Sequence, residues 1–384
     1  MSVNLTNFSS TDAEVAPVKK EETKKMGMVE KINNLLLVFS RIKSSEKLFF
    51  VQNLGIMLKA GVSLLMSLRT LAKQSSSKKF VTIINDMADN VEKGKTLTES
   101  LKPHEKVFGE LFINMVEAGE ISGKLESVLT QLFTQIKKQH KLVSKVKGAM
   151  TYPIVVLSAM GAIGTFMMIV VVPKLTSMLK DFGAKLPLPT QILITVSDTL
   201  VNNGPLVLLC LIVFIFIFIR ILKTYRGKYY FQSIILKLPV VSPIVKKINL
   251  AKFARTISSL LKTDIMIIKS FQITANVLGN LHYREAVNEI AEKIKKGSTI
   301  NEVISQYPKL FSPIVVQMVN IGEQTGELDE ILEELAQFYE EEVDQIMDTL
   351  PSILEPILIL VLGTAIGGMA VAIIMPMYSL SNSI

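Results

Sequence analysis

Few side chains in this 384-residue sequence stand at spacings that could do chemistry. Gly94-Lys95-Thr96 has the form of the end of a phosphate-binding loop, whose backbone amides would cradle a nucleotide's phosphates. Such a loop also needs a glycine five residues before the second one, and that position holds Asp89. The surroundings read helix to helix, whereas the loop joins a strand to a helix. Helix boundaries explain the residues better: Gly94 and the later Gly297 close helices, and Thr96 and Thr299 open the next ones. His104, His140 and His282 have no His or Cys at ligand spacing, so structural or surface roles are expected of them and no metal site is assigned. Cys210 is the only cysteine and falls inside an apolar run, where it reads as a packing residue. No Ser or Cys carries the local frame of a nucleophile. The carboxylates of 327–348 read as the solvated face of a charged helix. No catalytic residue and no cofactor follow, and enzymatic activity is not supported.

Glu355 is different in kind. It precedes Pro356 at the mouth of an apolar run, where a carboxylate costs free energy unless it is paired or drawn to the interface. Two readings stand side by side. One is a polar contact that positions the helix or a passing apolar substrate; the other is an interfacial residue at the end of a tilted helix.

The elements around these residues are set by hydropathy. Apolar residues make up 49% and charged residues 20%, which excludes disorder for most of the chain. Mean hydropathy is +0.40, so the average residue prefers a non-aqueous surrounding. Three stretches are long enough to cross a hydrocarbon core of about 30 Å. Residues 154–172 are free of charge between Lys147 and Lys174, and 199–219 are free of charge before Arg220. The third stretch, 357–378, follows Glu355, the last charged side chain. The net charge of +8 lies in the first part: residues 1–152 hold 23 Lys/Arg against 15 Asp/Glu, whereas 220–352 hold 16 of each. Without interleaved Arg and aromatic residues, this surplus does not indicate nucleic acid. Lysines before the first span, and Arg220, Lys223, Arg226 and Lys228 after the second, place the N-terminus and 223–352 in the cytoplasm by the positive-inside rule. The C-terminus is then extracytoplasmic.

One unit is used twice. At an offset of 203, Gly94-Lys95-Thr96-Leu97 recurs as Gly297-Ser298-Thr299-Ile300, and Met115–Leu125 maps onto Met318–Leu328. The same register relates Pro153 to Pro356 and Pro173 to Pro376 with no gap. Apolar residues at helical spacing and the absence of alternating runs make each unit helical. The fold expected is therefore an all-α membrane protein with two homologous cytoplasmic helical-bundle domains, about six helices each, and three transmembrane helices. In order these are a flexible cytoplasmic segment at 1–45, repeat one at 46–152, span one at 153–173 and an extracytoplasmic segment at 174–203. Span two at 204–222, a cytoplasmic linker at 223–250, repeat two at 251–352, span three at 353–378 and an extracytoplasmic tail at 379–384 complete the chain. A short amphipathic piece lies at 29–39.

The offset exposes a charge inversion. Lys137, Lys138, Lys141 and Lys145 map onto Glu340, Glu341, Asp344 and Asp348, a basic stripe where the duplicate is acidic. The two juxtamembrane helices are expected to face each other, within a chain or between protomers, with the charges setting pairing and register more than affinity. Lysines there also satisfy the positive-inside rule.

At Gly119-Glu120-x-x-Gly123-x-Leu125 and its copy Gly322-Glu323-x-x-Gly326-x-Leu328, the chain resembles the PilC/GspF family of inner-membrane platform proteins. Tyr152-Pro153, Leu186-Pro187-x-Pro189-Thr190, Leu238-Pro239-Val240, Glu355-Pro356 and Met375-Pro376-Met377-Tyr378 extend the likeness from about Phe49 to Tyr378. One departure is Asp264, where repeat one has the turn glycine Gly61; Asp tolerates the left-handed conformation better than most residues. The resemblance implies a non-enzymatic platform of the bacterial inner membrane, for type IV pilus biogenesis first and type II secretion next. It also implies homo-oligomers and, as partners, a cytoplasmic hexameric ATPase, pilins or pseudopilins, inner-membrane alignment proteins and the lipid bilayer, with no nucleic acid. The alternatives are a small polytopic transporter, since internal repeats are common there, and a membrane-tethered adaptor.

Overall fold

A computed structural model describes residues 42–181, 187–239 and 241–381. The amphipathic piece at 29–39, Leu186, Val240 and the last three residues lie outside the described residues.

Among the described residues the chain is built of helices, with no strand. Repeat one consists of α1 (Ser44–Lys59), α2 (Leu64–Gln74), α3 (Lys78–Glu92), α4 (Leu97–Leu101), α5 (Glu110–Ile121) and α6 (Leu125–Phe166). A 3-10 turn at Lys102–His104 and one helical turn at Glu105–Phe108 connect α4 to α5. α6 continues through a π-turn, Met167–Val171, into α7 (Val172–Asp181). Next come α8 (Leu188–Asn202), α9 (Gly204–Lys223) and α10 (Tyr225–Ile235). Repeat two repeats the plan in α11 (Val241–Leu261), α12 (Ile267–Val277), α13 (Leu281–Lys295), α14 (Ile300–Ile304), α15 (Pro313–Thr325) and α16 (Leu328–Ser381). Among the described residues, three helical stretches are long and apolar enough to cross a membrane: Leu125–Ser177, Gly204–Lys223 and Leu328–Ala372.

Each repeat closes on its own apolar core, and equivalent positions fill it. Phe50, Leu54, Leu68, Phe80, Met87 and Leu129 of the first are buried, as are Phe253, Ile257, Phe271, Tyr283, Ile290 and Leu332 of the second. Burying one such side chain stabilises the fold by about 1.5–3 kcal/mol. Leu260 and Ile273 of repeat two complete the core of repeat one, so the repeats share apolar surface.

Local chemistry sets the turns. Gly94 (φ +87°) and Gly297 (φ +95°) follow α3 and α13 in a conformation that side chains disfavour. The Thr96 hydroxyl then accepts from Glu99 N–H while the Glu99 carboxylate accepts from Thr96 N–H, a capping box that opens α4. Thr299 caps α14 by accepting from Glu302 N–H, without the reciprocal bond recorded at Thr96. The apparent phosphate loop is thus a helix boundary, and Lys95 Nζ donates to Asn90 at 3.0 Å. Gly61 has φ +80°, and Asp264 has φ +60°, the positive φ of a non-glycine residue among the described residues.

Candidate functional site: the juxtamembrane ladder and the motifs that hold it

Both long helices run without a break from a helical bundle into an apolar stretch, α6 over 42 residues and α16 over 54. Gly119 and Gly322 allow each long helix to start close against the one before it. A Cβ at Gly119 would lie 2.9 Å from Val128 Cγ2, and one at Gly322 would lie 3.0 Å from Leu328 Cα. Gly123 (φ +67°) and Gly326 (φ +80°) turn the chain, and Leu125 and Leu328 then pack against the two cores.

The motif carboxylates have a structural task. Glu120 accepts from the N–H groups of Leu97 at 2.5 Å and Thr98 at 2.8 Å, and also from the Thr98 hydroxyl. Glu323 accepts from the N–H groups of Ile300 at 2.7 Å and Asn301 at 3.0 Å. Each thereby satisfies the free N–H groups of a one-turn helix, where the helix dipole also favours a negative charge. The motif is a tie between α5 and α4, and between α15 and α14.

The ladder stands where α6 and α16 run side by side. Lys138 Nζ lies 3.1 Å from Glu340, Lys141 Nζ lies 3.0 Å from Asp344, and Lys145 Nζ bridges Asp344 at 3.3 Å and Asp348 at 3.0 Å. Beneath it Leu142, Val343 and Met347 form an apolar seam with Val146, Ile244 and Ile248. Burial opposes ionisation of Asp344, but hydrogen bonds from Lys141 and Lys145 outweigh it and hold its pKa below the usual value. The hydrogen bond to Asp348 raises the pKa of Lys145. Lys137 and Glu341 stand outside the ladder: Lys137 lies over the Phe133 ring, 5.6 Å from its centre, and Glu341 is exposed.

A buried charge cluster extends the ladder into repeat two, and sequence reading did not find it. Arg255, whose side chain is 6% exposed, forks onto Glu340 at 2.8 and 2.9 Å and donates to Glu333. Glu340 therefore serves Arg255 of its own repeat and Lys138 of the other. Beside it Gln131 donates to the Ser259 carbonyl at 3.1 Å, and the Ser259 hydroxyl donates to Gln135 at 3.2 Å. A polar groove of about 450 Å³ runs along this line, bordered by Gln131, Arg255, Lys262 and Glu333. The available signal was the comparison of copies: Arg255, Glu333 and Glu340 correspond to Gln52, Thr130 and Lys137, a set that cannot form the cluster.

Glu355 is exposed at the mouth of the apolar part of α16. Pro153 is buried in α6, while its counterpart Pro356 is exposed. His104 pairs with Asp86 at 2.7 Å. Among the described residues no cluster of His, Cys, Asp or Glu is placed to hold a metal ion.

The duplicated sequence pattern is found again in known proteins. The pattern of the family described as type II secretion system (T2SS), protein F, matches residues 50–173 and 253–376, copies that begin 203 residues apart (253 against 50). The chain is 32% identical over 346 residues to the type IV pilus assembly protein PilC of Myxococcus xanthus, covering 90% of this chain and 83% of that protein. It is 35% identical over 336 residues to PilC of Thermus thermophilus, covering 87% and 82%. It is 29% identical over 371 residues to the type II secretion system protein F of Aeromonas hydrophila, covering 96% and 95%. This chain therefore belongs to the type II secretion system protein F family.

Proposed function

We propose that the chain is a non-enzymatic platform of the bacterial inner membrane on which pilin or pseudopilin filaments are assembled, with type IV pilus assembly favoured. Its N-terminus and both repeats stand in the cytoplasm and its C-terminus outside. A cytoplasmic hexameric ATPase engages the repeats, and the chain works as a homo-oligomer. The names of the relatives, type IV pilus assembly for the Myxococcus and Thermus proteins and type II secretion for the Aeromonas protein, support the choice of process.

The observation that carries the reading is the continuity of α6 and α16. A stiff helix of 42 or 54 residues spans about 60–80 Å at 1.5 Å per residue, so a push on either bundle reaches the membrane without an intervening loop. The ladder makes the two rods move together. A transporter would place charged pairs or broken helices at the midplane; the charge pairs here lie ahead of the apolar stretches.

The test deletes the gene and complements it with wild-type chain or with Lys141→Glu/Lys145→Glu. Filaments should return with the wild type and be lost with the variant at equal membrane abundance. The co-encoded ATPase should be retained by both in detergent pull-down. Full filament assembly without the chain would end the platform reading, and no ATPase retention by the wild type would end the coupling.

A further inference from the structure

Each repeat has a proline near the end of its membrane helix, Pro173 and Pro376, equivalent at the 203 offset. A proline has no N–H, so it leaves a carbonyl one turn earlier without its helical donor. In hydrocarbon such a carbonyl must find another donor, and Ser or Thr side chains can supply it. Pro376 deprives Ala372. In the first repeat the helix widens to a π-turn and Val172 N–H donates to Met167, five residues back. In that register the donor missing at Pro173 belongs to Met168.

Both deprived carbonyls are met by one helix. Thr190 Oγ1 donates to Ala372 O at 2.6 Å, and Ser197 Oγ donates to Met168 O at 2.6 Å. Thr190 and Ser197 are 2% and 1% exposed and stand two turns apart on the face of α8 that also buries Ile194. Other hydroxyls nearby do what hydroxyls in helices usually do, bonding back to their own helix one turn earlier: Thr195 to Gln191, Thr199 to Thr195, Thr176 to Val172 and Thr364 to Leu360. Thr190 and Ser197 instead reach across, each to the carbonyl that a proline has left open. Between Pro187 and Asn203 the only charged side chain is Asp198, and the outward side of α8 exposes Leu188, Ile192 and Val196.

We propose that α8 is a strap that docks on the two proline sites and locks the first and third membrane helices to each other, with Thr190 and Ser197 as its positioning residues. α8 then belongs to the membrane bundle and is not a free connection outside it. The ladder fixes the same two helices at their other end, so α6 and α16 are clamped at two levels. The strap stands on geometry alone and holds whatever motor or filament the chain serves.

The test is a double-mutant cycle on the full chain in lipid nanodiscs, read by thermal unfolding and by cross-linking between cysteines placed at Thr176 and Ala372, which line one small cavity with Thr190, in a Cys210→Ala background. Thr190→Val keeps the shape and removes the hydroxyl; it should lower the midpoint by roughly 2–4 °C and reduce the cross-link yield. Thr190→Ser should restore both. Pro376→Ala supplies the missing N–H, so Thr190→Val should cost little more in that background. If Thr190→Val fails to fold, recovery by adding Pro376→Ala supports the strap equally. An unchanged midpoint for Thr190→Val, or the same loss with and without Pro376, overturns it.

Discussion

The two repeats share a backbone plan and differ in what their equivalent faces touch. In repeat two, Arg255, Glu333 and Glu340 form a charge cluster against α6 of repeat one. In repeat one the equivalent Gln52, Thr130 and Lys137 are exposed. The contact is therefore heterologous: one copy's long helix docks on the other copy's face, and the reverse contact is not made. Duplication supplied two rods that start in the same register, at Leu125 and Leu328. Divergence of a few side chains then made one a basic and the other an acidic partner, which fixes which face meets which.

The largest contrast is expected at this asymmetric face. Arg255→Met leaves Glu333 and Glu340 without their main partner in a partly buried site. It should destabilise the chain by about 3 kcal/mol, since breaking a buried pair is far more costly than losing an exposed one. Gln52→Met at the equivalent position should stay within about 0.5 kcal/mol. Denaturant unfolding of the two variants checks this, and equal effects would remove the asymmetry.

The conserved-in-both motif should behave in the opposite way, alike in both copies. Gly119→Ala and Gly322→Ala each push a Cβ to 2.9 or 3.0 Å from the next helix, so each should cost about 1–3 kcal/mol. A smaller difference lies at the first turn. Gly61→Ala should cost about 1 kcal/mol because it puts a side chain at φ +80°, whereas Asp264→Gly should be neutral or slightly stabilising. Melting temperatures of the four variants decide both.

The smallest effect is the pH dependence of the ladder. Asp344 has a lowered pKa, so its contribution is complete above the unfolded value of about 3.9 and is lost as pH falls through the lower folded value. Lys145 has a raised pKa, so its contribution is complete below about 10.4 and is lost as pH rises through the higher folded value. Stability measured from pH 5 to 9 should not change on account of these groups, and added salt should weaken the exposed rungs.

Repeats, spans and turn chemistry were readable in the sequence because each rests on local or periodic signals. The 203 offset needs only one register, and Gly94, Thr96 and Thr299 act on their nearest neighbours. Three of the four lysines proposed for the ladder pair as a stripe because helices in equivalent register bring equivalent positions level. Lys137 and Glu341 do not: Lys138, three residues before Lys141, meets Glu340, while Lys137 lies over the Phe133 ring and Glu341 is exposed. Arg255 was out of reach for another reason: its partners lie 78 and 85 residues away, and nothing local marks it as buried. The strap was hidden likewise, since Thr190 and Ser197 are ordinary helix residues until their acceptors are seen.

The central claim is that α6 and α16 are held in register by opposite charge, and one charge swap tests it most directly. Glu340 is left alone, because it also holds Arg255. Lys141→Glu with Lys145→Glu, and Asp344→Lys with Asp348→Lys, are compared with the combination of all four by filament assembly in complemented cells. Each half should lose assembly and the combination should regain most of it. A combination no better than either half would contradict the account.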